Sequence, residues 1–413
     1  MRLLILTQYF PPEVGAPQNR LYELAVRLKK AGVDVTVLTA MPNYPRMVIH
    51  PEYAGKKYAM EEMGGITVHR SSIYVSTDRS IVKRLRNYFS FVLSSWRTGR
   101  RLDGPFDFIF CESPPLFLGI SALLLARCFK ARMIFNVSDL WPESAEKLGL
   151  VTNRVLLKAA TILEERLYRS SSLITGQTQG IVRNIRSRFP QKEVYWLPNG
   201  VDLEYYNPDS FDRSWRTEAG FREQDFLVLY AGIIGHAQGL EVILDAAERL
   251  RDHPRIRFLM LGDGPEKERL TASAAGRRLT NVVFLDPVPK AKMPFVVSAS
   301  DAAVVPLKRL ELFKGAIPSK IFESLAMRKP VLLGVEGEAK ELFIEEGKCG
   351  IAFTPESDSE LAEGVLKLSG DKELLLRLGE NARAYAASRF DRNRIAADFL
   401  HQLEKSYSTR SRG

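Results

Sequence analysis

Long apolar runs are missing from this chain of 413 residues. None reaches the roughly 18 uncharged residues that a membrane-spanning helix requires. The nearest, Pro114 to Ala126, is about the length of a buried helix. The opening Met1-Arg2-Leu3-Leu4-Ile5-Leu6 is too short for the core of a secretory leader. Tyr9-Phe10-Pro11-Pro12-Glu13 also stands where small residues would mark a cleavage site, so the segment reads as a first β-strand. Cysteine is scarce: Cys111, Cys128 and Cys349 are odd in number, lack metal-ligand spacing, and two of them sit among apolar residues. This excludes a disulfide framework and predicts reduced, buried thiols, as in the cytoplasm. Five scattered histidines assemble no acid–base set, and no metal site is expected. The dinucleotide fingerprint Gly-x-Gly-x-x-Gly is also absent.

Positive charge is plentiful. The formal net charge is +10, which attracts nucleic acid, an acidic leaflet or phosphate-bearing ligands. Arg79, Lys83, Arg84, Arg86, Arg97, Arg100 and Arg101 fall within 23 residues that contain no acid. Between them stand Ile81, Val82, Leu85, Tyr88, Phe89, Phe91, Val92, Leu93 and Trp96. A helix with cationic ends and an aromatic body suits an anionic membrane surface; the alternative is a core-packed helix with a solvated basic rim. No recognition module accompanies the charge, which argues against nucleic acid. Arg84, Arg86, Trp96, Arg97 and Arg100 are the candidate membrane contacts.

Strand–helix alternation fills the chain. Residues 2–10 form a continuous apolar run, followed by a Pro/Gly loop and a helix with Leu21, Leu24, Ala25 and Leu28 on one face. Val33 to Thr39 then gives a second strand, and such a unit implies a doubly wound parallel sheet. Further strands are predicted at 66–70, 107–111, 132–137 and 172–175. The pattern restarts with strands at 226–233, 256–261, 282–285, 302–306, 331–335 and 350–353, separated by helices at 240–250, 266–276, 290–299, 319–327 and 338–346. The turn-rich Leu197-Pro198-Asn199-Gly200-Val201-Asp202 marks the joint. Two Rossmann-like domains are therefore expected, 1–198 and 199–390, with the ligand in the cleft between them, since open α/β sheets bind ligands beyond their strands' carboxyl ends.

Four loops carry candidate chemistry. Gly15 precedes a helix, and Gly232-Ile233-Ile234-Gly235-His236-Ala237-Gln238-Gly239 repeats that arrangement with three glycines, a possible anion cradle. His236 alone reads as a solvated side chain. Residues 305–330 place Lys308, Arg309, Lys314 and Lys320 around a loop leading into a helix, with Ser319 as expected N-cap and Glu323 on the second turn. Cations suit a diphosphate, and a carboxylate nearby suits a ribose diol. Asp139 and Glu143, in Ser138-Asp139-Leu140-Trp141-Pro142-Glu143, end an apolar strand; they are candidates for binding or deprotonating an acceptor hydroxyl. A helix cap is the competing reading of Asp139.

Taken together, these pieces resemble family 4 glycosyltransferases of the GT-B fold. The resemblance rests on Phe10-Pro11-Pro12-Glu13-Val14-Gly15-Ala16, Leu197-Pro198-Asn199-Gly200-Val201-Asp202, Gly262-Asp263-Gly264-Pro265, and Glu323-Ser324-Leu325-Ala326 before Lys329-Pro330-Val331. It covers nearly the whole chain. Asp139-Leu140-Trp141-Pro142-Glu143, Ala237-Gln238-Gly239-Leu240-Glu241 and Pro318-Ser319-Lys320 look like a bacterial surface-polysaccharide subgroup that includes transferases of N-acetyl-fucosamine-type sugars. The resemblance implies a nucleotide-sugar donor, retained anomeric configuration and no required metal or other cofactor. By the same resemblance Gly15, Gly235, Gln238, Gly262, Asp263, Val288, Lys308, Lys314, Lys320 and Glu323 bind the donor. Gly15 lies beside the diphosphate, Val288 passes the nucleobase, and Glu323 holds the ribose. The final helix, 391–405, braces the first domain.

Two departures matter. Gly315 stands where the family has the first of two glutamates, and Ile234 and Gln238 replace an arginine and a lysine. Lys320 is the expected substitute for the missing cations. The expectation is transfer from a UDP-sugar to a lipid-linked saccharide in O-antigen or capsule synthesis, by a peripheral protein on the inner membrane face, with Asp139, Glu143 and Glu323 as the catalytic candidates. A soluble small-molecule acceptor is the alternative, with an epimerase or nucleic-acid-binding protein behind it.

Overall fold

The computed structural model describes every residue except Val14, Arg79, Leu148, Leu150 and those from Thr409 to Gly413. The chain divides into two units: Met1–Asn199 together with the segment from Arg392 onward, and Gly200–Asp391.

The first unit holds eight strands: β1 (Arg2–Leu6), β2 (Asp34–Ala40), β3 (Tyr58–Met63), β4 (Ile66–Ser71), β5 (Phe108–Ser113), β6 (Arg132–Val137), β7 (Leu173–Gly176) and β8 (Val194–Trp196). Their order is β3-β4-β2-β1-β5-β6-β7-β8, parallel throughout except for β3 against β4. The apolar run predicted to reach residue 10 leaves the sheet after Leu6, with four residues between it and the Pro11-Pro12 loop. Edge strand β3 is unforeseen. Its Glu61-Glu62 pair has poor strand propensity; the tight Gly64-Gly65 turn sets it against β4, and the ladder and the Arg70–Glu61 pair hold it there.

Helix α1 (Ala16–Lys30) covers one sheet face with Leu21, Leu24, Ala25 and Leu28. The other face carries α2 (Ile81–Gly99), α3 (Leu118–Phe129) and α5 (Arg154–Ser170); the short α4 (Glu143–Lys147) stands between β6 and α5 in the chain. The run beginning at Pro114 folds as α3, with Leu118, Ala122 and Leu125 buried. The closing helix, Arg392–Ser408, lies beside α1. Its Phe399 is fully buried and meets Phe110 edge-on at 5.9 Å. Arg392 pairs with Glu23, and Arg27 Nε donates to Asn393 at 2.8 Å. Burying one such phenylalanine is worth roughly 1.5–3 kcal/mol, and Ala396 and Leu403 are buried beside it.

The second unit is a six-stranded parallel sheet: β9 (Phe226–Ala231), β10 (Ile256–Leu261), β11 (Val282–Leu285), β12 (Ala302–Pro306), β13 (Val331–Gly334) and β14 (Gly350–Ala352). The order is β11-β10-β9-β12-β13-β14. The sequence reverses direction on either side of β9, so the loop after β9 lies at the point where the sheet's winding switches. The predicted helix at 338–346 is split into Glu338–Lys340 and a wider π turn, Glu341–Glu346.

Cys111 and Cys349 are buried and Cys128 is exposed, and all three are free thiols. The expectation of burial fails for Cys128, which lies near the C-terminal end of α3, on its outer side.

Candidate functional site

In the second unit, the loops after β9 and β10 stack on one another. Gly232 donates its amide to Leu261 O at 2.9 Å, and Ile234 donates to Asp263 O at 2.9 Å. Gly262 and Gly264 hold φ of 152° and 155°. A Cβ on Gly262 would fall 1.9 Å from Gly232 O, and one on Gly264 would fall 2.3 Å from Ile234 O. Only glycine permits this backbone approach. Gly235 then opens a single turn, His236–Gln238, and Gly239 closes it in the left-handed region. Asp263 caps locally, accepting from the Gly264 amide at 2.8 Å. His236 is exposed and bonded to Glu266 at 2.9 Å, in keeping with a surface role.

Of the four expected cations, Lys320 is the one that reaches β9. Its ammonium lies 3.8 Å over the Tyr230 ring and beside Gly232, whose Cβ would sit 3.1 Å from it. Burial pushes that ammonium down to about 7, with Glu323 pulling the other way. Tyr230 is locked by donating its hydroxyl to Ile233 O at 2.6 Å. Lys308 joins the same loop through its backbone, its amide donating to Ala237 O at 3.0 Å, while its side chain is exposed. The other two are committed elsewhere. Lys314 pairs with Glu311 at 2.7 Å, and Arg309 lies 4.0 Å from Glu336. The four do not form one cluster, because acids in neighbouring turns claim Lys314 and Arg309.

Helix Lys320–Ala326 is only seven residues long, and Ser319 makes no side-chain cap. The expected N-cap is therefore absent, since Ser319 itself adopts helical angles. Glu323 is in the first turn, not the second, one turn from Lys320. Val288 is half-buried in the segment between β11 and the turn Lys290–Lys292.

In the first unit, Gly15 starts α1 with extended backbone. A Cβ there would press on the Gln18 side-chain oxygen at 2.3 Å. Asp139 follows β6 and accepts from Ser144 Oγ at 2.8 Å. Burial raises its carboxyl above the ordinary range, with Glu143 adding to the effect. Its partners are the Ser144 side chain in α4 and the backbone amide of Leu140. Glu143 itself forms a half-exposed pair with Lys147 at 2.7 Å, the ordinary use of an i,i+4 charge pair.

A buried polar network went unforeseen. Glu112, at the end of β5, accepts from Arg20 Nη2 at 2.7 Å, from Ser138 Oγ at 2.5 Å and from Asn136 Nδ2 at 2.5 Å. Arg20 also donates to Ser138 at 2.8 Å, and Thr175 donates to Asn136 at 2.6 Å. Arg20 and Glu112 are 7% and 3% exposed. The readable signal was polarity at the carboxyl end of otherwise apolar strands, in Cys111-Glu112-Ser113 and Asn136-Val137-Ser138.

The α2 contacts divide. Phe91 is fully buried and Trp96 packs on the core with Arg100 at 5.1 Å over its ring. Trp96 is thus partly buried: it packs on the margin of the core, and at seven residues from Phe89 and three from Leu93 it borders their exposed face. Arg86 lies 4.2 Å over Tyr74. Val82, Phe89 and Leu93 are 68%, 46% and 45% exposed. At spacings of seven and four they share one face with Arg86, Arg97 and Arg100. Arg84, exposed in the first turn, points to the side of Phe91. Arg79 lies outside the described residues.

Residues 15–200 match the glycosyl transferase 4-like domain, and residues 211–385 match glycosyl transferases group 1. The chain is a GT-B glycosyltransferase. It is 28% identical to the putative colanic acid biosynthesis glycosyl transferase WcaI of Escherichia coli, over 98% of this chain and 100% of that one. It is 24% identical to the O-antigen chain mannosyltransferase C of Escherichia coli, over 93% and 92%. Anabaena HepE, solved with UDP and glucose, superposes with a TM-score of 0.72 at 18% identity, over 98% of this chain and 100% of that chain. Its homologues thus include transferases of bacterial surface-polysaccharide biosynthesis.

Proposed function

We propose that this transferase moves a sugar from a UDP-sugar, with retention of anomeric configuration, to a hydroxyl of a lipid-linked oligosaccharide. The acceptor belongs to O-antigen or capsule synthesis at the inner face of the membrane. The donor sugar is an N-acetylated hexosamine or deoxyhexosamine, by resemblance to the subgroup with the same Ala237-Gln238-Gly239 and Pro318-Ser319-Lys320 segments. The observation that carries the donor reading is the Lys320 ammonium at the end of β9, beside the stacked glycine loops. A partly desolvated ammonium next to open backbone is suited to a diphosphate, and HepE, of the same fold, binds UDP.

Within this reading Lys320 neutralises the leaving diphosphate, assisted by Lys308. Glu323 accepts from the ribose hydroxyls. The leaving phosphate takes the acceptor's proton on the face it departs from, and Asp139 orients the acceptor. The α2 face of Val82, Phe89 and Leu93 with Arg86, Arg97 and Arg100 supports a lipid surface as the place of work.

A thermal-shift panel of UDP-, GDP- and dTDP-sugars tests the donor. The right donor at a hundredfold over Kd stabilises the folded state by about 2.7 kcal/mol. Stabilisation by GDP-sugars alone would overturn the UDP assignment. Transfer of label to a soluble sugar, and none to lipid-linked acceptors in vesicles, would overturn the acceptor.

A further inference from the structure

A cavity of about 670 Å³ opens in the first unit, on the α2 side of strands β2, β4 and β3. It reaches Arg2 and Asp34, the first residues of β1 and β2, so it lies toward the amino ends of the parallel strands, opposite the carboxyl ends that carry Glu112 and Asp139. Register explains its floor. Thr36 pairs with Thr67 and Met60 with His69, and alternate residues of a strand share a face. The end of α2 and the loop beyond it, with Thr98, Arg101 and Asp103, form the opposite wall.

The lining is polar, of both signs, and largely uncommitted. Among the described residues no hydrogen bond or ion pair engages the hydroxyls of Thr36, Thr67 or Thr98. The same holds for the Arg101 guanidinium and the Asp103 carboxylate. By contrast Asp34 is held by Arg2 at 3.1 Å and Lys29 at 3.4 Å. One end presents a fixed aromatic platform: Tyr58 stacks on His69 with ring centres 6.1 Å apart, and its hydroxyl meets His69 Nδ1 at 2.9 Å. Tyr58 and Met60 are 48% and 64% exposed.

We propose that this groove is a second saccharide site, separate from the donor site, which binds a neutral pyranose ring. The volume falls in the range of ligand cavities, roughly 300–1,000 Å³. Two carboxylates balance two guanidiniums, so the groove offers no net attraction to a phosphate. Three free hydroxyls disfavour an apolar guest. A ring of alternating hydroxyls needs donors and acceptors side by side, which Thr36, Thr67, Thr98, Arg101 and Asp103 supply. Its C–H face suits an aromatic ring held edge-in by a hydrogen bond. A free sugar and a segment of a longer saccharide present the same ring.

The probes are glucose, galactose, fucose, N-acetylglucosamine and maltotriose, with inorganic phosphate as control. The readout is the His69 ring resonance, one of five histidines, assigned by His69→Gln. At least one sugar is expected to shift it saturably at millimolar concentration. Thr67→Trp, which fills the groove from an exposed position, should abolish that shift while leaving UDP-induced thermal stabilisation unchanged. Tighter binding of maltotriose than of glucose would assign the groove to a saccharide segment, and equal binding to a free sugar. Failure of every sugar, a shift by phosphate alone, or a sugar shift that survives Thr67→Trp overturns the proposal. Loss of UDP stabilisation in the wild type would instead count against the donor site.

Discussion

The ammonium of Lys320 and the ring of Tyr230 face each other at 3.8 Å, one at the start of a short helix and the other at the end of β9. Burial lowers the lysine to about 7 from 10.5. Between those values the unfolded chain keeps the proton and the folded chain sheds it, so this residue favours folding increasingly as pH rises through the window. Diphosphate binding has the opposite sign. It requires the ammonium, so UDP should take up a proton above pH 7, and its affinity should fall about tenfold per pH unit there. Calorimetry at pH 8 in buffers of different ionisation heat reads the uptake directly. Lys320→Ala should abolish the uptake and weaken UDP by roughly 1.5–3 kcal/mol. A pH-independent affinity that is equal in the variant would remove Lys320 from the donor site.

Glu323 sits one turn further, on a helix anchored by Ile321, Phe322 and Leu325, all at most 1% exposed. Glu323→Ala should therefore keep the melting temperature within a few degrees. It should weaken UDP by about 1.5–3 kcal/mol, the value of a hydrogen bond to a charged group, yet leave pyrophosphate affinity unchanged. Equal losses for both ligands would place the carboxylate near the phosphates and not the ribose.

Gly262 tests the stacked loops. Alanine there meets Gly232 O at 1.9 Å and must adopt a φ of 152°. The backbone must part, so Gly262→Ala should destabilise the chain by about 1–3 kcal/mol and lower UDP affinity together with it. A variant with native stability and native affinity would show that the loops need not touch.

These loops show which parts of the structure the sequence discloses. Gly232, Gly262 and Gly264 are visible as glycines after apolar strands, because a turn at a strand end needs them. What they stack upon is not visible, since Gly232 is brought against Gly262 and Lys320 by strand order, not by spacing. Both sheets were largely legible from continuous apolar runs, which buried parallel strands require. Strand β3 was not, because its alternate residues Tyr58, Met60 and Glu62 face outward and leave no apolar pattern. Helix α2 shows a related limit: composition makes it basic and aromatic, but only packing decides that Phe91 turns inward while Phe89 stays exposed.

Arg20 and Glu112 form a pair that composition alone could not reveal. Removing one partner of a buried pair costs about 3–5 kcal/mol, because the remaining charge is stranded. Arg20→Met should therefore destabilise by that amount, and adding Glu112→Gln should recover part of the loss, since Ser138 and Asn136 still bond to a neutral amide. Chemical denaturation of the two single variants and the double variant measures the coupling. Strict additivity would mean that the pair contributes nothing beyond its separate members.

The face of α2 bears on where the enzyme works. Each basic residue near an anionic leaflet contributes about 1 kcal/mol, weakened by salt. Replacing Arg84, Arg86, Arg97 and Arg100 with glutamine should release the protein from phosphatidylserine vesicles at low salt while sparing transfer to a soluble acceptor. The apolar residues separate insertion from mere attraction. Val82 and Leu93 are exposed, so serine at both should leave the melting temperature nearly unchanged and still reduce vesicle binding, whereas Phe89 also packs against Phe117 at 4.9 Å. Trp96→Ser should lower stability and vesicle binding together, because the ring packs partly on the core and borders the same face. Arg84 supplies a control within the set, because it lies on the Phe91 side of the helix. Arg84→Gln alone should weaken vesicle binding less than Arg97→Gln alone. If both single variants bind as wild type does, or if the wild type never sediments with anionic vesicles, α2 is a core helix with a solvated rim, and a soluble acceptor becomes the better reading.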